Sequence, residues 1–190
     1  LMATAAAASY HDVPADSPLA GEVHKATQYG LMNGYSADTF GYLDSMTRAQ
    51  FTAVLVRMMG WTTETPDTAS YADVPAGHTW FEEIETAAAH DVTGTWVNFR
   101  PQDPITRGEM AELLVRALGL NSAATALNSS QVPFSDTYSV LHGGTPFTDL
   151  EYRNEGYAEV AYAIGMTNGT SAATFSPERT ATRGQAAAML

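Results

Sequence analysis

Met46-Thr47-Arg48-Ala49-Gln50, Ile105-Thr106-Arg107-Gly108-Glu109 and Ala181-Thr182-Arg183-Gly184-Gln185 are three versions of one pentapeptide, each leading into an apolar stretch. A Thr followed three residues later by Glu or Gln, just ahead of an apolar run, is a capping box. The hydroxyl accepts from the third residue's amide, and the Glu or Gln side chain reaches back to the Thr amide. Thr47 with Gln50, Thr106 with Glu109 and Thr182 with Gln185 therefore mark three helix starts, each cap contributing about 1 kcal/mol. Beyond them, Phe51, Val54, Leu55 and Met58, and again Met110, Leu113, Leu114 and Ala117, fall at i, i+3, i+4 and i+7. Each set is one apolar stripe on a helix.

Working outward, the flanks repeat as well. Copy one spans residues 10–61, from YHDVPADSPLAGEV to FTAVLVRMMGW, and copy two spans 71–120, from YADVPAGHTWFEEI to MAELLVRALGL. Copy three spans 147–190, from FTDLEYRNEGYAEV to AAAML, and stops one turn into its last helix, as a fragment would. An early Asp precedes the motif Thr by 35, 33 and 33 residues (Asp12–Thr47, Asp73–Thr106, Asp149–Thr182), and a loop Phe precedes it by seven each time (Phe40, Phe99, Phe175). Residues 62–70 are a short polar connector. Residues 121–146 read as an insertion, and the Pro-Phe-Ser-Asp at 133–136 is a second, less well-spaced match to the opening of a copy. Residues 1–9 are Ala-rich, a leader or linker such as the end of a secretion signal or a fusion remnant.

Each copy reads as helix, loop, helix. Trp80, Ile84, Ala87 and Ala88, and in copy one Leu19, Val23 and Ala26, supply the first-helix stripes. Asn33-Gly34 and Asn168-Gly169 are expected to end the first helix on a left-handed glycine. One short helical hairpin cannot bury its stripe alone, so the copies are expected to share a core. The expected fold is all-α, three repeats in a pseudo-threefold unit around a central three-helix bundle.

The 21 acidic residues outnumber the 9 Lys plus Arg for a net charge of −12, which speaks against a nucleic-acid partner. No apolar run nears the roughly 18 residues of a membrane span, so no membrane insertion is expected. The chain has no Cys, and its five His lack ligand spacing, so neither a metal nor a cofactor is expected. No nucleophile elbow, phosphate loop or dinucleotide fingerprint occurs, so the expected role is not enzymatic.

Arg48, Arg107 and Arg183 need a separate reason. They take the first helical position, where the helix dipole disfavours a cation by a few tenths of a kcal/mol. A guanidinium beside free amides at a helix start suits a carboxylate or phosphate ligand. The alternative is an ion pair between copies, to Asp12, Asp73 or Asp149. On the ligand reading, Arg107→Ala is expected to leave stability nearly unchanged. The early Asp residues have turn capping as their simplest role, and Trp80 and Trp96 offer flat faces for a sugar ring.

These residues resemble the S-layer homology family. The resemblance rests on the aromatic-x-Asp-Val opening, the Asn-Gly before the loop, the Thr-Phe-x-Pro stretch and the three Thr-Arg motifs, over about three quarters of the chain. It implies a secreted, non-catalytic module on the bacterial cell surface. Such a module would bind secondary cell-wall polysaccharide, often pyruvylated, in grooves between copies. Arg48, Arg107, Arg183, Trp80, Trp96, Asp73, Gly34, Gly94 and Gly169 are the candidate ligand residues. Leu19 in place of a Trp, Thr93-Gly94 in place of Asn-Gly, and Tyr157 standing near where copy three lacks a Trp depart from the pattern, so the grooves are expected to be unequal. The alternative reading is a protein–protein or self-assembly module of a surface layer, its arginines in ion pairs.

Overall fold

The computed structural model describes residues 10–94, 97–126, 134–136, 154–171 and 173–190, with the side chains of residues 154 and 155 left aside. The described residues are all-α: α1 (Ala20–Gln28), α2 (Arg48–Met59), α3 (Phe81–Ala89), α4 (Arg107–Ala117), α5 (Asn121–Ala126), α6 (Asn154–Ala163) and α7 (Arg183–Ala187). Their β pairing is confined to isolated bridges. No helix among them is long and apolar enough to cross a membrane.

Each copy contributes a first helix (α1, α3, α6) and a second helix (α2, α4, α7). Both halves of the capping box form at Thr47, Thr106 and Thr182. The first helices pack on a neighbouring copy's second helix: α3 on α2, α6 on α4, and α1 on α7. The second helices are buried well beyond one stripe. In α2, Ala49 and the run Phe51 to Val56 are all buried, as expected of a helix covered on several sides. One continuous core takes residues from all three copies, among them Val23, Phe51, Leu55, Ile105, Leu114, Tyr157, Phe175 and Ala186. Copy two keeps a smaller cluster around Tyr71, Phe81, Ile84 and Phe99.

The residue before each motif Thr joins the copies. Met46 N–H donates to the Ala181 carbonyl (3.1 Å), Ala181 N–H to that of Ile105 (3.0 Å), and Ile105 N–H to that of Met46 (2.9 Å), closing a three-membered cycle. All three residues are buried. Backbone groups this deep must be paired internally, and here each copy satisfies another.

Three expectations are corrected. First, α1 ends at Gln28, not at Asn33-Gly34. Gly30 (φ +69) closes it, with Leu31 N–H reaching the Ala26 carbonyl and Gly30 N–H that of Thr27, the paired bonds of a Schellman cap. Gly165 does the same for α6, and Asp91 takes the left-handed position in copy two. Second, part of the 121–146 insertion is helical, as α5, and α5 packs on α6.

Third, the opening of copy three is at Phe134-Ser135-Asp136. Its Phe134 ring lies 5.5 Å from Phe175, as Tyr10 lies 5.3 Å from Phe40 and Tyr71 lies 5.4 Å from Phe99. Phe147 and Asp149, expected in that place, lie outside the described residues, as do residues 1–9 and Trp96.

Candidate functional site

The loop before each second helix is built around a carboxylate. Asp12 accepts from the amides of Phe40 (2.8 Å), Gly41 (2.7 Å) and Tyr42 (2.9 Å). Asp73 accepts from Phe99 and Arg100, both at 2.7 Å. Asp136 accepts from Phe175 (2.8 Å) and Ser176 (2.7 Å). Burial works to raise the Asp12 pKa, yet the three amides together hold it below the ordinary carboxylate range. Both oxygens of Asp73 are engaged by loop amides, so its place in the structure is that of a loop clamp. The clamp forces the next residue into left-handed backbone: Gly41 (φ +81), Arg100 (φ +60) and Ser176 (φ +58). For the last two, that conformation costs about 1 kcal/mol or more.

The clamped loop in turn presents its carbonyls to another copy's helix. The first amide of α2, at Arg48, donates to Asp103 O, that of α4, at Arg107, to Arg179 O, and that of α7, at Arg183, to Asp44 O. The second amides, at Ala49, Gly108 and Gly184, donate to Pro101 O, Pro177 O and Tyr42 O. The helix starts thus have no free amides of the kind expected from the sequence. The same carbonyls remove most of the dipole penalty on a cation at this position.

The three arginines lie across these junctions, 7 %, 6 % and 6 % exposed. Arg48 Nε donates to Phe99 O (2.9 Å), Arg107 Nε to Phe175 O (2.8 Å), and Arg183 Nε to Phe40 O (3.0 Å). Each guanidinium also lies over the ring of the same Phe, with centroid distances of 5.0, 4.9 and 4.8 Å. Copy one is joined to copy two, two to three, and three to one by a single recurring contact. The Phe residues set the register of the sequence repeat, but their role as acceptors was not read from it.

Beyond that contact the junctions differ. Arg48 Nη1 pairs with Glu109 Oε1 (2.7 Å), the capping residue of copy two, and Arg100 shares that carboxylate at 2.8 Å. The ion pair between copies expected at Asp73 is therefore made by Glu109. Copies one and three carry Gln50 and Gln185 in this position. Among the described residues, Arg107 Nη2 reaches the Thr167 hydroxyl (3.4 Å), and Arg183 Nη2 reaches the Asn33 carbonyl (2.6 Å) with Tyr35 under the guanidinium at 4.6 Å. Neither has a carboxylate within ion-pair distance among the described residues. Burial draws all three guanidinium pKa values below the ordinary one. At Arg107 the charge of Arg179 adds to this and Asp136 opposes it.

The other candidates are placed less centrally. Trp80 sits half-exposed at the start of α3, packed on the cluster that contains Phe99. Gly34 and Gly169 are loop positions where an added Cβ would strike the opening aromatic, Tyr10 or Phe134, and nearby carbonyls. Gly94 lies in the corresponding loop of copy two, its carbonyl accepting from the Tyr71 hydroxyl. No group of three or more His, Cys, Asp or Glu suited to a metal occurs among the described residues.

The chain is 32 % identical over 162 residues to an endoglucanase of Bacillus sp. (strain KSM-635), covering 84 % of this chain and 16 % of that protein. It is 31 % identical over 147 residues to an amylopullulanase of Thermoanaerobacterium thermosulfurigenes, covering 77 % of this chain and 7 % of that one. It is 28 % identical over 187 residues to an S-layer protein of Bacillus thuringiensis subsp. finitimus, covering 96 % and 21 %. The chain thus spans about a fifth or less of the length of these relatives. The S-layer homology domain family, whose members anchor proteins to the cell wall, matches residues 9–52 and 70–111, so these two stretches of the chain are S-layer homology repeats.

Proposed function

We propose that the chain is a non-catalytic, extracellular anchoring module that holds a bacterial cell-wall glycan through an anionic, pyruvate-type substituent, with copy three completing a pseudo-threefold unit. The observation that carries this reading is the state of Arg107 and Arg183. Each is a buried cation at a junction between copies, Arg107 held by the Phe175 carbonyl and the Thr167 hydroxyl, Arg183 by the carbonyls of Phe40 and Asn33, and neither has an ionic partner among the described residues. A buried charge is costly unless paired, and a carboxylate brought by a ligand supplies the missing partner in a dry, preorganised setting. Trp80 offers a half-exposed apolar face near one junction. Trp96 remains a proposed sugar contact.

The direct test is co-sedimentation with purified cell wall. Binding is expected to whole wall and to its extracted secondary polymer, and to be lost on wall stripped of that polymer. Equal sedimentation with stripped wall, or concentration-dependent self-association without wall, would replace this reading with self-assembly.

A further inference from the structure

The first helices of the three copies end on the same backbone bond, which aligns them residue by residue. The carbonyls of Ala26, Ala87 and Ala161 accept from the amides of Leu31, Val92 and Met166. Two residues earlier on each helix stand His24, Glu85 and Glu159. In copy two this position fastens the copy. Glu85 is 3 % exposed and accepts from the Ser70 amide (2.8 Å) on one oxygen and from the Ser70 hydroxyl (2.6 Å) on the other. Ser70 directly precedes the opening aromatic Tyr71, so the two bonds tie the start of the copy to α3.

Copy three keeps the carboxyl group without that partner. Glu159 is half-buried, and its Oε2 is fully buried with no hydrogen-bond partner, a state shared among the described residues by Thr52 Oγ1. The residue before the opening aromatic Phe134 is Pro133, which has neither an amide hydrogen nor a hydroxyl to offer. The helices packed on α6 are α4 and α5. α5 carries no charged residue, and α4 carries Arg107, Glu109, Glu112 and Arg116. Arg116 is turned toward α6, but it lies over the Tyr157 ring at 5.3 Å and is paired with Glu112 at 2.9 Å. Arg107 and Glu109 are engaged at their junctions. On α6 itself, Tyr157 donates to Asn121 and Tyr162 packs on Phe134. Asp136, beside the opening, is held by the amides of Phe175 and Ser176. Burial raises the Glu159 pKa above the ordinary carboxyl value, and no charge among the described residues offsets it. A buried carboxylate oxygen without a donor is costly, and protonation removes the charge.

We propose that Glu159 is a proton-operated latch of copy three: protonated, it lets α6 seat firmly on α4 and α5, and as it ionises with rising pH the copy loosens. A carboxyl that holds its proton more tightly in the folded chain contributes stability that is fully present below the unfolded carboxyl range. That stability is lost as the pH rises through the raised folded value. The loop clamp at Asp12 runs the other way, since its amides hold its pKa low and its stabilisation is lost as the pH falls. Arg107 takes its carbonyl acceptor from copy three, so the latch also sets how firmly the junction of copies two and three is held. The module is thereby tuned to hold together best in mildly acidic surroundings.

Urea unfolding of the full chain between about pH 8 and about pH 4, a range that spans carboxyl titration, tests the latch. Glu159→Gln removes the charge, and Glu159→Met keeps the length of the side chain with no ionisable group. Both are expected to unfold at higher urea than the parent at the alkaline end. The gap should close as the pH falls, because the parent then carries the proton that the variants do not need. Ser70→Ala is the converse change. It takes the donor from Glu85 Oε2 and should lower the midpoint more at the alkaline end than at the acid end, and Glu85→Gln in the same chain should abolish that pH dependence. No gap between the Glu159 variants and the parent at the alkaline end, or a gap that stays constant or widens on acidification, overturns the proposal. A Ser70→Ala effect of equal size at both ends overturns it as well.

Discussion

Arg107→Ala is expected to lower the stability of the chain by about 2–4 kcal/mol, through an unsatisfied buried carbonyl and an unfilled void. The carbonyl is that of Phe175, which Arg107 Nε reaches at 2.8 Å across 68 residues of sequence. The void lies beside the Phe175 ring, over which the guanidinium now sits. The position alone had suggested the opposite, near-neutral or slightly favourable, because it weighed only the dipole of the arginine's own helix. Thr106→Ala, one residue away, loses a cap worth about 1 kcal/mol and serves as the comparison. Arg107→Lys should recover little, since an ammonium cannot hold the planar contact with carbonyl and ring together. Equilibrium urea unfolding of the three variants measures this. A parent-like midpoint for Arg107→Ala would show that the junction is held without its arginine.

Truncation after Leu120 should have the larger effect. It removes Ala181 from the backbone cycle with Met46 and Ile105, takes the Phe175 acceptor from Arg107, and strips α6 from α4 and α7 from α1. Copies one and two would retain Arg48 on Phe99 and the packing of α3 on α2. Their remaining buried faces, among them Leu113, Leu114 and Val23, would meet water. The expected outcome is a chain with helical far-ultraviolet signal but a broad, shallow thermal transition, where the full chain melts as one unit. A transition as sharp as the parent's would mean that two copies suffice as a cooperative fold.

These consequences show where the sequence could be read and where it could not. The second helices were legible because a capping box is local chemistry: Thr at one position, Glu or Gln three later, and an apolar stripe behind them. The partners of the arginines were not. Phe99, Phe175 and Phe40 accept through their backbone carbonyls, at separations of 51, 68 and 143 residues, and a carbonyl leaves no mark of residue type. The same holds for the loop carbonyls that occupy the first two amides of each helix.

The third opening was misplaced for a different reason. Copies one and two put their Asp 35 and 33 residues before the Thr, and Asp149 fits that ruler, whereas the carboxylate that clamps the loop is Asp136, 46 residues ahead. Spacing fails as a guide when one copy carries extra chain between opening and loop. The Phe-Ser-Asp chemistry was the better signal. Glu109 was legible as a cap, but its second bond to Arg48 becomes visible only when one copy's helix start is set against another's.

The central claim is that a wall glycan is held by short contacts to its acidic group and not by long-range attraction, which a chain of net charge −12 cannot supply. Titration of the chain with secondary cell-wall polymer, native and chemically stripped of its acidic substituent, at low and at high salt, tests this most directly. Stripping the substituent is predicted to weaken binding roughly ten- to a hundredfold, the loss of one charge-assisted contact of about 1.5–3 kcal/mol. Raising the salt should change it little, or strengthen it slightly by screening the general repulsion. Stripped polymer bound as tightly as native, or native binding abolished by salt alone, would contradict the account.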